Sequence, residues 1–305
     1  MSTKTIYIVG GQKGGVGKTS VCQALCQYLL DQERPFALVE GDAQIDDVGR
    51  MYRGEVETET VNISDDPAKA SNPDVIYSRA LQDDKDVVVN LPSNIIDVMT
   101  SWLKTTGLIS ILKEKFGGDI RLVKLFVSDG CYESIRQLEK SIASLDGQIP
   151  HVVVLNEGRV SAADFSYLEQ QEMYTRLKKA DNFLGVVTFP AMEPGTQFYI
   201  DSQGKGLRKA LEQTEADSDF LRGQRIKNFL DEIKGVFDDG LRLIDDWFPK
   251  QPDWNGEAQL PKDAAEASGD GDSSVSSGTG FGGDRPSDDS SGSKTKKNIK
   301  AGAAS

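Results

Sequence analysis

Short, largely apolar runs alternate with amphipathic stretches along most of the chain. Each run is the length of a strand and ends in polar or turn-forming residues, which is typical of buried strands. They comprise residues 5–10 (TIYIVG), 35–40 (PFALVE), 86–91 (DVVVNL), 121–127 (RLVKLFV), 151–156 (HVVVLN) and 184–189 (LGVVTF). Continuous apolar strands separated by helices predict an α/β fold, with a doubly wound, mostly parallel sheet and helices on both faces.

The stretches between these strands have helical periodicity. After the first strand, the apolar residues Val21, Leu25 and Leu29 recur on one helical stripe. Further helices are predicted over residues 94–115, 132–145 and 163–180. Residues 220–248 are predicted to form one or two amphipathic helices, with an apolar stripe opposite an acidic face.

A loop rich in glycine and lysine joins the first predicted strand to the first helix, with the sequence GGQKGGVGKT at residues 10–19. Gln12 replaces the first glycine of the general phosphate-loop pattern, but the ending Gly17-Lys18-Thr19 is intact. Glycines let backbone N–H groups approach phosphates closely, and the helix N-terminus adds its positive dipole end. The strand–loop–helix context therefore predicts nucleotide binding.

Each residue type in this loop has a predicted role. In this pattern Lys18 reaches the β- and γ-phosphates, and the Thr19 hydroxyl ligates Mg²⁺. Ser20 also fits simply as a residue of the first helical turn. The predicted nucleotide-binding residues of the loop are Gly14, Gly15, Val16, Gly17, Lys18, Thr19 and Ser20.

The run QKGGVGKT resembles the deviant phosphate loop of the ParA/MinD family of ATPases, and its leading glutamine is more typical of ParA proteins. The resemblance implies a P-loop NTPase that binds ATP between two subunits of a homodimer. It also implies a catalytic role for Lys13, which would reach the phosphates held by the partner subunit. The alternative for Lys13 is a solvated loop lysine.

The end of the second strand extends this resemblance. Residues 40–44 (EGDAQ) are similar to the D-x-D-P-Q segment of ParA-type proteins, with Glu40 in place of the first acid. Asp42 matches the second acid, which the family uses near the metal and the hydrolytic water. The resemblance therefore implies that Asp42 is a catalytic residue and a metal ligand, although a polar residue that merely ends a strand is the alternative. Asp46 and Asp47 are predicted to be exposed acids of a switch loop.

The third predicted strand departs from the family pattern. Related ATPases typically end this strand with an acid, whereas VVVNLP places Asn90 at that position. Asparagine can bond a metal-bound water but carries no charge to hold Mg²⁺. The sequence therefore supports ATP binding better than rapid hydrolysis. Asn90→Asp is expected to strengthen the Mg²⁺ dependence and to raise hydrolysis; the alternative is that crowding beside Glu40 and Asp42 raises a carboxyl pKa instead.

Recognition of the base is less clearly marked. Asn156 ends a strand and resembles the adenine-contacting asparagine of the family, and residues 188–194 (TFPAMEP) correspond to a loop over the base. An ordinary turn explains both features almost as well. The resemblance implies that Asn156 is a cofactor-binding residue.

Composition limits the classes of partner. The chain has 305 residues and a formal net charge of −13, which disfavours nucleic-acid binding over the whole surface. Cys22 and Cys26 are predicted to pack against the sheet, and the three cysteines form no disulfide framework. No signal peptide or membrane span is evident, so a cytoplasmic protein is expected.

Non-specific DNA binding stays open, because several basic residues precede the acidic helix: Lys205, Arg208, Lys209, Arg222, Arg225 and Lys227. A solvated helix face explains them equally well.

The composition changes near the C-terminus. We predict an ATPase domain over residues 1–255 and a disordered tail rich in Ser, Gly and Asp over residues 256–305. The tail has too few apolar residues to offset the entropy of ordering. Its late lysines form either a nucleic-acid hook or a solubilising end: Lys294, Lys296, Lys297 and Lys300.

The resemblance implies a ParA-like ATPase that acts in plasmid partition or cargo positioning. ATP, Mg²⁺, a homodimer and a partner protein that stimulates hydrolysis are implied with it. No membrane partner is expected, because the helix at residues 220–248 has an acidic polar face, whereas a MinD-like membrane helix would be basic. One alternative is a slowly hydrolysing, ATP-gated interaction scaffold in plasmid stability or conjugation. Another is an ATP-dependent metabolic ligase on the same fold.

Overall fold

The computed structural model describes residues 3–11, 13–42, 46–82, 85–160 and 162–254, which form one sheet flanked by helices. The strands are β1 (Lys4–Gly10), β2 (Phe36–Glu40), β3 (Glu57–Thr60), β4 (Asp86–Asn90), β5 (Ile120–Ser128), β6 (His151–Asn156) and β7 (Phe183–Phe189). The helices are α1 (Lys18–Asp31), α2 (Asp74–Gln82), α3 (Ile96–Thr106), α4 (Leu108–Phe116), α5 (Tyr132–Ala143), α6 (Ala162–Glu169), α7 (Glu172–Leu177), α8 (Pro194–Gln203), α9 (Leu207–Ala216) and α10 (Phe220–Trp247). The predicted tail at residues 256–305 lies outside the described residues, so the domain boundary stays a prediction.

The seven strands lie in the order β3-β2-β4-β1-β5-β6-β7, and every neighbouring pair is parallel. Parallel neighbours need crossover connections, so helices are carried onto both faces of the sheet and the central strands are buried. β1 sits between β4 and β5 with every residue from Thr5 to Gly10 buried. The predicted fold class, a doubly wound parallel α/β sheet, is confirmed.

Several elements differ from the sequence prediction. β3, with the sequence ETET, is an edge strand with no apolar signal, and its acids face Arg79, whose Nε lies 2.7 Å from Glu59 Oε2. Charged side chains are a common protection of exposed edges. The helix predicted over residues 94–115 is divided at Gly107, which has a φ of 62° and separates α3 from α4. The helix predicted over residues 163–180 is likewise divided into α6 and α7.

The amphipathic stretch at residues 220–248 forms one long helix, α10, of 28 residues. Its apolar stripe packs on the sheet and on α1: the ring centroids of Phe229 and Phe189 are 5.7 Å apart, and those of Phe237 and Tyr28 are 5.4 Å apart. Tyr28 Oη also donates to Asp238 Oδ1 at 2.8 Å. The stripe is therefore covered by the domain itself. Among the described residues, no helix is both long and apolar enough to span a bilayer.

A buried polar network lies between β5, β6 and α5. His151 Nδ1 donates to the Ile149 carbonyl at 2.7 Å, so Nε2 accepts from the Ser141 hydroxyl at 2.8 Å. Ser141 Oγ accepts in turn from Lys124 Nζ at 2.7 Å. Burial lowers the pKa of Lys124 to about 7, and burial together with the nearby Lys124 lowers the pKa of His151 to about 3. The hydrogen bonds and the lowered pKa are consistent with an uncharged His151.

Lys124→Met is expected to raise the free energy of unfolding near pH 7 and to flatten its pH dependence. In the unfolded chain Lys124 holds its proton up to pH 10.5, but in the folded chain only up to about 7. Wild-type stability should therefore rise with pH between these values, by at most about 1.4 kcal/mol per pH unit. Urea unfolding at several pH values measures the slope. Lys104 is exposed, so Lys104→Met serves as the control and should keep the wild-type slope of unfolding free energy against pH. A wild-type slope in Lys124→Met would show that Lys124 does not cause the pH dependence.

Candidate functional site

The phosphate loop adopts a conformation that requires glycine at two positions. Gly15 and Gly17 have φ angles of 76° and 95°, which residues with a Cβ rarely adopt. Gly17 caps the N-terminus of α1, and its carbonyl accepts from Val21 N at 3.0 Å. A Cβ on Gly17 would lie 2.1 Å from Asn156 Nδ2, whereas nothing lies within 4 Å of a Cβ on Gly15. Glycine is therefore required at position 17 both by the backbone conformation and by the close contact with Asn156.

Asn156 connects the end of β6 to this loop. Its side chain is buried, Nδ2 donates to the Val16 carbonyl at 2.8 Å, and Oδ1 accepts from Gly158 N at 2.9 Å. The bonds fix the loop backbone over the sheet edge. Contact with adenine remains a prediction for Asn156, whose observed partners are the loop and the turn after β6.

Lys18 is a buried cation at the start of α1. Its Nζ donates to Ser93 Oγ at 2.7 Å and to the Lys13 carbonyl at 3.3 Å, and burial lowers its pKa to about 8. Within the described part of the chain, Lys18 forms no ion pair with a carboxylate. A buried cation without a counter-charge is costly, so the site favours an anionic ligand.

The loop opens into a cleft of about 260 Å³ at the carboxyl edge of the sheet. The cleft is lined from the loop and α1 by Gly15, Gly17, Lys18, Thr19 and Ser20, from the residues after β2 by Asp42 and Asp47, from the end of β4 by Asn90, Leu91, Pro92 and Ser93, and from the turn after β6 by Arg159. The structure thus brings Lys18, Thr19 and Asp42 to one cleft, and their roles toward nucleotide and Mg²⁺ stay predictions. Carboxyl ends of parallel strands meet at one edge, which is where open α/β sheets bind ligands.

Glu40 and Asn90 form a buried pair at the ends of β2 and β4. Asn90 Nδ2 donates to Glu40 Oε2 at 2.8 Å, while Glu40 Oε1 accepts from the backbone N–H groups of Val48 and Gly49 at 2.8 and 3.0 Å. Burial raises the pKa of Glu40, and these three hydrogen bonds oppose the rise. A carboxylate introduced at Asn90 would therefore meet Glu40 directly, which favours the alternative of crowding over a simple gain of Mg²⁺ affinity for Asn90→Asp.

Lys13 is held by its own chain. Its Nζ lies 2.6 Å from Asp129 Oδ2 and donates to Cys131 Sγ at 3.3 Å. Burial opposes the charge of Asp129, but hydrogen bonds from Lys13 and Cys131 outweigh it and lower the pKa of Asp129. The Lys13 side chain is 42% exposed and that of Asp129 is 11% exposed. The predicted action of Lys13 across a dimer would require this pair to separate.

Three residues of the site were not predicted from the sequence: Ser93, Asp129 and Arg159. Each follows a predicted strand within a few residues. A search for polar residues just beyond every strand end would have found them, since such positions line the ligand edge of a parallel sheet.

The residues present fit a nucleotide with Mg²⁺. Asn90 Oδ1 is buried and has no hydrogen-bond partner among the described residues. Asn90, Thr19 and Asp42 line the same cleft. Such oxygen donors suit Mg²⁺, and the glycines with Lys18 suit phosphate. Thr19 and Asp42 are the residues that would hold the ion, which when bound would neutralise phosphate charge.

Comparison with known proteins gives concordant similarities. Residues 7–191 match the family described as the CobQ/CobB/MinD/ParA nucleotide binding domain. Protein MobD from Acidithiobacillus ferrooxidans is 27% identical over 215 residues, which cover 69% of this chain and 88% of MobD.

Two solved structures are similar at lower identity. The nucleotide-binding protein of Archaeoglobus fulgidus in complex with ADP has 12% identity and a TM-score of 0.43, over 65% of this chain and 86% of that one. The septum site-determining protein MinD of Pyrococcus horikoshii, complexed with Mg-ADP, has 16% identity and a TM-score of 0.43, over 76% and 96%.

Gly17→Ala is expected to lower both thermal stability and nucleotide affinity more than Gly15→Ala. Both substitutions strain the backbone by roughly 1–2 kcal/mol, but only Gly17→Ala also meets the Asn156 amide. Thermal unfolding and binding of a fluorescent ATP analogue measure the two effects. In an Asn156→Ala background the additional effect of Gly17→Ala should shrink to that of Gly15→Ala, and an unchanged effect would show that the contact is unimportant.

Proposed function

The chain belongs to the CobQ/CobB/MinD/ParA family of nucleotide-binding domains, and from this we propose that it is a ParA-like ATPase that dimerises around ATP. The observation that carries the proposal is the position of Lys13, a half-exposed cation next to a cleft that already contains the buried Lys18. The proposed biological role is plasmid partition or the positioning of another cargo in the cytoplasm.

The different environments of the two loop lysines support the proposed dimerisation. Lys18 is buried beneath the loop and serves the nucleotide of its own subunit. Lys13 is exposed and is bonded to Asp129 and Cys131 of the adjoining loop. Exchange of the Asp129 carboxylate for the phosphates of a second subunit keeps Lys13 paired while joining two copies. This supports an ATP-dependent homodimer.

Hydrolysis would depend on the acids after β2. Asp42 lines the cleft with Thr19 and is suited to orient an attacking water and accept its proton. The exposed Arg159 also lines the cleft and would contribute positive charge toward phosphate oxygens. Thr19 and Asp42 would hold Mg²⁺, as the donor set described above allows.

Binding of DNA is less well supported than binding of nucleotide. Several of the predicted patch residues pair with acids of the domain, namely Arg208 with Asp31, Lys209 with Glu55, Arg222 with Asp219 and Arg225 with Glu193. Such pairs reduce the positive charge available to phosphate backbones. We therefore propose that a protein partner stimulates ATP hydrolysis. DNA is the second ligand to be tested.

A second candidate function is an ATP-gated interaction scaffold with slow turnover, in plasmid stability or conjugation. It is favoured by the uncharged Asn90 and by the engagement of Glu40 with backbone groups, which leave fewer acids for the metal. Steady-state hydrolysis with DNA or candidate partner proteins separates the two functions. Strong stimulation supports the ATPase, and nucleotide-dependent binding without turnover supports the scaffold.

Lys13→Ala is expected to abolish ATP-dependent dimerisation, measured by light scattering, while ATP still binds. Lys18→Ala should instead abolish nucleotide binding itself, because it removes the cation beneath the loop. Asp129→Asn should favour the dimer by about two- to fivefold, since a half-exposed ion pair contributes about 0.5–1 kcal/mol. Normal dimerisation of Lys13→Ala with ATP would remove the basis of the proposal.

Asp42→Asn is expected to leave ATP affinity within about threefold of wild type and to slow phosphate release by about 100-fold, the usual contribution of a general base. The neighbouring acid Asp47, which also lines the cleft, gives the matched control Asp47→Asn. Single-turnover phosphate release measures both variants. Equal rates in Asp42→Asn and wild type would exclude Asp42 as the base.

A further inference from the structure

We propose that Glu40 is a positioning residue that fixes the orientation of the Asn90 side-chain amide, so that Asn90 Oδ1 faces the nucleotide cleft as an acceptor. The proposal rests on the proposed function only in taking this cleft as the site of nucleotide and Mg²⁺. It assigns a specific role to the two positions where the chain departs from the acids of the ParA-type pattern.

The orientation of an amide follows from its hydrogen-bond partners. The carboxylate oxygens of Glu40 accept hydrogen bonds, so the Asn90 group that lies 2.8 Å from Glu40 Oε2 must be the donor Nδ2. Oδ1 is then directed away from Glu40. Oδ1 is buried and has no hydrogen-bond partner within the described ranges, and Asn90 lines the cleft beside Lys18 and Thr19. An unpaired buried acceptor at this wall is suited to a metal-bound water or another donor of the ligand.

Glu40 also joins this amide to the acidic loop after β2. Its other oxygen, Oε1, accepts from the N–H groups of Val48 and Gly49, which follow Asp47 of the cleft wall. One fully buried side chain therefore contacts both the end of β4 and the loop. An aspartate is shorter by one methylene and would not reach both sets of donors from the same backbone position, which accounts for a glutamate here.

The two departures from the family pattern therefore compensate each other. A carboxylate at the end of β4 would stand beside Glu40 in a buried site, where like charges repel strongly. Asparagine removes that repulsion, donates to Glu40 and still presents an oxygen to the cleft. If the pair were purely structural, the hydrogen bond to Glu40 would matter for folding, but turning the Asn90 amide over would not change the affinity for the nucleotide with Mg²⁺.

The test compares Glu40→Gln, Asn90→Asp and the double variant. In Glu40→Gln, the new amide oxygen can accept from Val48 and Gly49, so its NH₂ group faces Asn90. The Asn90 amide then turns over and presents its own NH₂ group to the cleft. In Asn90→Asp, two carboxylates meet. In the double variant, the introduced glutamine donates to the introduced aspartate, whose second oxygen faces the cleft again.

The measurement is the affinity of a fluorescent, slowly hydrolysed ATP analogue with Mg²⁺ and with EDTA, together with thermal unfolding. We expect the increase in affinity for the analogue on addition of Mg²⁺ to be about tenfold smaller in Glu40→Gln than in the wild type, equivalent to about 1.4 kcal/mol. The affinity for the analogue in EDTA should stay within about twofold of the wild-type value. The double variant should recover the Mg²⁺ gain to within about threefold of wild type. Glu55→Gln, which changes an exposed acid, serves as the control.

The outcomes separate this proposal from the proposed function. Wild-type binding of the analogue together with an unaltered Mg²⁺ gain in Glu40→Gln overturns the proposal and leaves the proposed function standing. An equal loss of affinity with and without Mg²⁺ also overturns it, because that result indicates general damage to the loop. If Glu40→Gln is unfolded, the double variant decides, and failure to recover the Mg²⁺ gain in a folded double variant overturns the proposal. Absence of binding in the wild type would defeat both.

Discussion

Parallel pairing of all seven strands is the constraint on which the site depends. Because the strands run in one direction, residues that follow β1, β2, β4 and β6 in the sequence come to the same edge of the sheet. The phosphate loop, the acids after β2, Asn90 and Asn156 are therefore neighbours although long crossovers separate them along the chain. The same pairing buries the central strands between two helical layers. Polar groups at this edge then have only each other, solvent or a ligand as partners.

Buried polar groups give the edge its shape. Asn156 ties the loop to β6, and Glu40 ties the end of β4 to the loop after β2. A buried polar group without a partner costs about 1–3 kcal/mol, so each of these bonds excludes other arrangements of the loops. Among the described residues, Asn90 Oδ1 has no hydrogen-bond partner and Lys18 has no carboxylate partner, and both residues line the cleft. A nucleotide with its ion, bound in this cleft, would supply the partners that these two groups lack.

Charge is arranged differently inside and outside the cleft. Lys13 and Asp129 form an ion pair that solvent reaches from the Lys13 side, since the Lys13 side chain is 42% exposed and that of Asp129 is 11% exposed. The exposed basic residues near α9 and α10 are largely paired with local acids. The chain as a whole carries a net charge of −13, whereas the cleft is lined by the positive side chains Lys18 and Arg159 as well as by Asp42 and Asp47. This distribution favours a small polyphosphate over extended nucleic acid.

The sequence by itself determined the parallel fold, six of the strands and the phosphate loop, because apolar runs and glycine spacing act over a few neighbouring residues. It also indicated Lys18, Thr19 and Asp42 as one group through their places at strand and helix ends. Only the tertiary structure decided the partners of the polar residues: Asn90 meets Glu40 across 50 positions, and Lys13 meets Asp129 across 116. The polar strand β3 and the break at Gly107 were likewise missed, since one lacks an apolar signal and the other interrupts a continuous helical pattern. Hydrogen bonds between distant residues depend on strand order and register, which local patterns do not contain.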